Sequence, residues 1–143
     1  MVKILLAVDG SEGALRAARH LVKSAAWYKQ APEVHVIAAH RAVPMAGRAE
    51  AALGSGALNH YYKEESEMAL KGAREVLTLA GIAFTEHSGI GEPAEIIVKL
   101  AHEQGCDLIY MGTRGLGAVK SLVLGSTAQK VLHLTETPVV LVH

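Results

Sequence analysis

The sequence predicts an α/β domain built on a parallel sheet, and three observations lead there. Short, continuous apolar runs such as "KILLAV" and "DLIYM" alternate with longer stretches of helical period. An apolar run with no polar alternation suits a strand buried on both faces, as in a parallel sheet between two helix layers. Asp-Gly, Pro and Gly punctuate the boundaries, and repeated β-α alternation implies right-handed crossovers into a single sheet.

Each element follows in order. The run Lys3–Val8 reads as the first strand, closed by Asp9-Gly10. Ser11 is placed to cap a helix from about Glu12 to Lys29, with Ala14, Leu15, Ala18, Leu21, Val22 and Ala25 at helical spacing. "EVHVIAAH" (Glu33–His40) is the second strand. Residues 41–59 hold no strong period and read as a long connection with at most a helical turn near Ala49. A helix from about His60 to Ala80 turns Met68, Ala69, Ala73, Val76 and Leu77 inward, and Gly81 follows as its terminating residue. Its Lys63, Glu64, Glu65 and Glu67 read as a solvated face, with Glu67–Lys71 spaced as an i,i+4 pair. "IAFTEHS" is a more polar third strand, suited to a position near an edge. Pro93 opens the next helix and Gly105 lies past its end. "DLIYMG" is the fourth strand, "STAQKVLHLT" belongs to the last helix, and "TPVVLVH" is the fifth strand.

Length and charge bound the function. A chain of 143 residues suits one domain, expected to span 1–143, with a real core. Acidic and basic residues number 14 each, so no net field draws the protein to nucleic acid or to an anionic membrane. A single cysteine, Cys106, rules out an intrachain disulfide and fits a reducing cytoplasm; next to an apolar strand it reads as a packed thiol. The opening run is too short for a signal peptide, and no stretch reaches membrane-spanning length. The eight histidines are scattered without a close ligand pair, so a protein zinc site is not expected. His40 stands apart because it follows the second strand, at the rim where ligands bind.

In an open parallel sheet that rim lies beyond the carboxyl ends of the strands. The two loops that reach it here are "VDGS" and "MGTRGLG". Gly112 and Gly115 would let main-chain N–H groups approach a ligand, while Gly125, Ser126 and Thr127 start a helix whose unpaired N–H groups and dipole favour an anion. Arg114 and Lys120 add positive charge. The same glycines would equally serve a tight strand-to-helix connection, and glycine content alone does not choose between the two. Neither a Walker A loop nor G-x-G-x-x-G after the first strand is present, so nicotinamide chemistry is unsupported. Asp9 is suited both to accepting a bond from a sugar hydroxyl and to shaping an Asx turn with Gly10 and Ser11.

The spacing Gly112-x-x-Gly115-x9-Gly125-Ser126 resembles the nucleotide-binding signature of the universal stress protein family. The resemblance extends to "ILLAVDGSEGALRAARHL", to "GEPAEIIVKLAHEQGCDLIYMGTRG" and to "TETPVVLVH". It implies a doubly wound five-stranded parallel sheet of order 3-2-1-4-5 with helices on both faces, and binding of ATP with Mg²⁺ or Mn²⁺ on its phosphates. Carried onto this chain, main-chain groups around Ala7 and near Ala38 and Ala39 border the base, and Asp9 lies beside the adenosine. Met111 sits at the start of the glycine loop and Arg114, a further candidate binding residue, lies within it where relatives vary; Gly112 and Gly115 contact ribose and phosphates, and Gly125, Ser126 and Thr127 hold the outer phosphates. Thr113 keeps the hydroxyl that many relatives supply with Ser. The family habit also implies a homodimer, and the apolar fifth strand (Val139, Val140, Leu141, Val142) at a sheet edge is its expected contact.

Three functional classes remain open on the sequence. One is a nucleotide-dependent regulatory module in the stress response. The second is a slow ATPase or nucleotidyl-transfer enzyme, for which no nucleophile or general base is evident and no catalytic residue is assigned. The third is a dimeric scaffold without nucleotide.

Overall fold

The computed structural model describes residues 1–44, 46–116 and 123–143. Its strands are β1 (Lys3–Val8), β2 (Glu33–His40), β3 (Phe84–Ile90), β4 (Leu108–Gly112) and β5 (Val139–Val142). They form one sheet of order β3-β2-β1-β4-β5, parallel throughout. The helices are α1 (Glu12–Ala25), α2 (Ala46–Leu53), α3 (Ser55–Leu79), α4 (Pro93–Glu103) and α5 (Ser126–Leu134). Strand order reverses between β1 and β4, which opens a crevice where the loops following those two strands diverge.

Both sheet faces are covered, which explains why the central strands carry no polar alternation. Ile4, Leu6 and Val8 of β1 point to one side, with Ala17 and Leu21 of α1 and Leu70, Ala73 and Leu77 of α3. Leu5 and Ala7 point to the other, with Ile97 and Ala101 of α4 and Ala128 and Val131 of α5. Cys106 packs in this second cluster, where burial pushes its thiol up. Tyr110 is almost fully buried, and its hydroxyl is 2.8 Å from both Ser24 Oγ and Tyr28 Oη. Burial, then the bond to Tyr110, pushes the Tyr28 phenol up to about 12. A buried hydroxyl needs such partners, because leaving it unpaired costs ~1–3 kcal/mol.

Several expectations need correction. The first helix ends at Ala25 rather than Lys29, since tight bonds from Trp27 N to Ser24 O and from Tyr28 N to Ala25 O turn the chain so that Tyr28 reaches Tyr110. Residues 41–59 are not a structureless loop: α2 and the first turn of α3 occupy most of them, parted by Gly54 at φ 87°. Alanine has the highest intrinsic helix propensity, so this stretch forms helix without an apolar period to reveal it. Met68 is 72% exposed, and Leu70 takes the inward place, on one stripe with Ala73 and Leu77. Glu67 pairs with Arg74, not Lys71, and Arg74 also grips Glu86 across on β3.

One polar pair in the sheet has no counterpart among the sequence expectations. His35 of β2 and His87 of β3 meet, Nδ1 to Nε2, at 2.9 Å, with His35 only 5% exposed. Glu33 Oε1 lies 3.3 Å from the other nitrogen of His35. The two contacts fall on opposite sides of the His35 ring, so the trio forms a chain rather than a chelate. Burial, then the neighbouring His35, holds the His87 imidazole below its ordinary value.

Two predictions arise. A depressed imidazole means that the unfolded chain binds more protons than the folded one just below the ordinary histidine pKa of about 6.5. Stability from His87 is therefore complete above that value and falls on acidification. Thermal melts between about pH 7.5 and 5.5 should show a falling midpoint, and His87→Gln should flatten that slope. The second concerns Gly13, inside α1, where an added Cβ would stand 2.5 Å from the carbonyl oxygen of Arg114. Gly13→Ala should lower stability in urea by about 1 kcal/mol or more, although alanine is the better helix former.

Candidate functional site

A cleft of about 550 Å³ opens beyond the carboxyl ends of β1, β2 and β4. One wall is the turn after β1. Gly10 adopts φ 84°, a conformation that favours glycine. That lets Asp9 fold back so that its Oδ1 accepts from Ser11 N at 2.9 Å, while Ser11 Oγ accepts from Ala14 N at 3.1 Å and caps α1. The second carboxylate oxygen of Asp9 accepts from Leu116 N at 3.0 Å, across 107 positions of sequence. Asp9 thus shapes its own turn and ties the glycine loop to β1.

The second wall is that loop with the start of α5. Thr113 N donates to Val142 O at 3.0 Å, and Thr113 O accepts from Gly125 N, so the chain leaves β4 and returns to the same point to begin α5. Gly125 is the N-cap, and among the described residues no side chain caps the opening turn. Ser126 and Thr127, at the start of α5, line the cleft, with the positive end of the helix dipole behind them.

One need that the loop glycines meet is packing. None of Gly112, Gly115 and Gly125 has a positive φ. What they permit is close approach to the protein itself. A Cβ on Gly112 would meet the backbone of Gly13 at 2.7 Å, one on Gly125 would meet Arg114 Cα at 3.3 Å, and one on Gly115 would collide with Asp9 Oδ2. The loop packs against α1 and β1, and the cleft remains open alongside it.

Ala7, Asp9, Ala39, Met111, Gly112, Arg114, Gly115, Gly125, Ser126 and Thr127 all line this cleft. Ala38 does not: it is wholly buried in the core beneath α1 and α3, because strand alternation sends it to the face opposite Ala39. Lys120 lies outside the described residues, as does most of the segment between the two glycine clusters. The last strand is the sheet edge, with all of Val139–Val142 partly exposed.

Sequence reasoning misses the third wall. His40 lines the cleft, as its place at the end of β2 suggests; Arg41, Tyr61, Tyr62 and Glu65 line it too. Glu65 therefore faces the site rather than open solvent. The available signal is the one-turn spacing of Tyr61 and Glu65, which puts them on one stripe of α3. Arg41 Nη1 donates to Glu92 Oε2 at 2.7 Å, and Lys130 Nζ stands 3.4 Å from the same oxygen. Burial raises the Glu92 carboxyl, but Arg41 and then Lys130 outweigh it and hold it below the usual carboxylate range. Arg41 and Lys130 thus share one carboxylate. Among the described residues no group of three His, Cys, Asp or Glu side chains is arranged to hold a metal ion, and no helix is long and apolar enough to cross a membrane.

Comparison with known proteins agrees with this architecture. The chain is 40% identical over 140 residues to "Universal stress protein in QAH/OAS sulfhydrylase 3'region" of Thermus aquaticus, covering 97% of this chain and 96% of that one. The structure of UspA from Lactobacillus plantarum superposes with a TM-score of 0.80 at 20% identity, over 99% of this chain and 97% of the other, a likeness of fold. A universal stress protein solved in complex with cAMP matches with a TM-score of 0.69 at 25% identity, over 99% and 97% of the two chains. The sequence model of the universal stress protein family matches residues 1–143. With the 3-2-1-4-5 sheet and the glycine loop closing on the start of α5, this places the chain in the universal stress protein family.

Proposed function

We propose that this protein is a nucleotide-dependent regulatory module that binds an adenine nucleotide, ATP foremost, in the cleft between β1 and β4. The observation that carries the reading is the start of α5, uncapped by any described side chain and facing an open cleft of about 550 Å³. An anion placed there meets N–H donors, two hydroxyls from Ser126 and Thr127, and a favourable dipole. Ala7, Ala39, Met111 and Ile97 supply an apolar floor for a heterocycle. The related structure bound to cAMP supports an adenine ligand. Mg²⁺ or Mn²⁺ would accompany ATP through its phosphates and screen their charge, since the described residues offer no ligand set of their own.

Asp9 connects binding to regulation. Its Oδ2 bond to Leu116 N holds the loop in one position, and a ribose hydroxyl would compete for the same oxygen. Ligand binding then changes the loop only by its differential affinity for the two loop positions. Both oxygens of Asp9 already accept main-chain N–H groups, which favours binding over turnover in this cleft. We further propose that two copies pair through the exposed edge of β5, in the cytoplasm, as part of a stress response.

Calorimetric titration with ATP, AMP and cAMP tests the reading, with ATP expected to bind most tightly and EDTA expected to weaken ATP more than AMP. Gly115→Val should lower ATP affinity at least tenfold with an unchanged circular dichroism spectrum. Absence of heat with all three nucleotides would refute the proposal.

A further inference from the structure

The walls of the cleft differ in charge and in chemistry. The α5 side presents a helix start with its positive dipole end and the Ser126 and Thr127 hydroxyls. The α3 side presents two aromatic rings and a carboxylate. Tyr62 is fixed, because its hydroxyl accepts from Val43 N at 2.9 Å. Tyr61 stands edge-on to it with ring centroids 5.8 Å apart, and is 47% exposed while lining the cleft. Glu65 lies one helical turn beyond Tyr61 on the same stripe, half-buried, and no hydrogen bond or ion pair among the described residues engages it.

We infer that the Tyr61–Glu65 turn of α3 is the wall that selects the base of the bound nucleotide. The inference rests on the nucleotide reading above and adds orientation and specificity to it. A carboxylate beside Tyr61 repels phosphate, so the anionic end is driven to the α5 wall and the heterocycle to the α3 wall. The face of Tyr61 offers a stacking platform, which by itself accepts any base. The Glu65 carboxylate offers acceptor oxygens, so it favours a base that presents an exocyclic amine in its reach. Larger ring area and an amine donor together favour adenine over uracil.

Titration calorimetry with ATP, ADP and UTP on the full chain tests this. Tyr61→Ala should lower ATP affinity about tenfold or more. It should shrink the preference for ATP over UTP while leaving the ATP-to-ADP ratio as in wild type, because the phosphate wall is untouched. Tyr61→Phe should bind ATP as wild type does, since the ring and not the hydroxyl makes the contact. Glu65→Leu should lower ATP affinity relative to UTP affinity, since both nucleotides carry the same triphosphate. Wild-type ATP affinity in Tyr61→Ala, or a fall in ATP and UTP by the same factor, overturns the assignment and leaves the phosphate site standing. A wild-type protein that binds none of the three overturns both.

Discussion

The structure depends on one close approach of backbones. The first turn of α1 and the end of β4 meet backbone to backbone at Gly13 and Gly112, and Gly115 packs against the carboxylate of Asp9 in the turn after β1. Asp9 then spans the gap, joining the Ser11 and Leu116 amides through one carboxylate. If either loop stood a methyl group farther off, this double contact would be lost, and with it the alignment that brings α5 to the cleft. The convergence lies where the strand order reverses, the point at which an open parallel sheet leaves space for a ligand. Packing and site are therefore one arrangement: the glycines that close the fold also border the opening.

Electrostatics gives the cleft a direction. The protein has no formal net charge, so attraction of an anion must come from local fields. The N–H groups opening α5, which no described side chain caps, supply one, and it acts at short range because a helix dipole fades within a turn. Arg41 and Lys130 share the single carboxylate of Glu92, so that corner keeps one unit of positive charge beside the cleft. Asp9 and Glu65 oppose an anion elsewhere in the cleft. A ligand with one charged end and one flat, weakly polar end fits this division, and an inorganic polyanion fits it less well.

The fold is legible in the sequence almost throughout. Unbroken apolar runs alternating with helical periods fit a sheet covered on both faces and little else. Gly10, Gly81 and Gly105 all adopt the positive φ that terminating or turn positions need. Residues 41–59 are not legible, because alanine-rich helices need no amphipathic period. Two of the site's walls can be read from glycine spacing and helix-start residues. The third cannot, since Tyr61 and Glu65 resemble any solvated helical turn until α3 is placed over the ends of β1 and β2. The His35–His87 contact is hidden for a similar reason: the two residues are 52 positions apart, and only the β2–β3 register brings them together.

Amide hydrogen exchange, followed residue by residue with and without ATP and Mg²⁺, tests the proposed anchoring of phosphate most directly. If the start of α5 grips the phosphates, exchange should slow at Ser126 and Thr127 and change at Leu116, while β3 at the far edge keeps its rates. Unaltered exchange at Ser126 and Thr127 under saturating ATP would contradict it, whatever the total affinity.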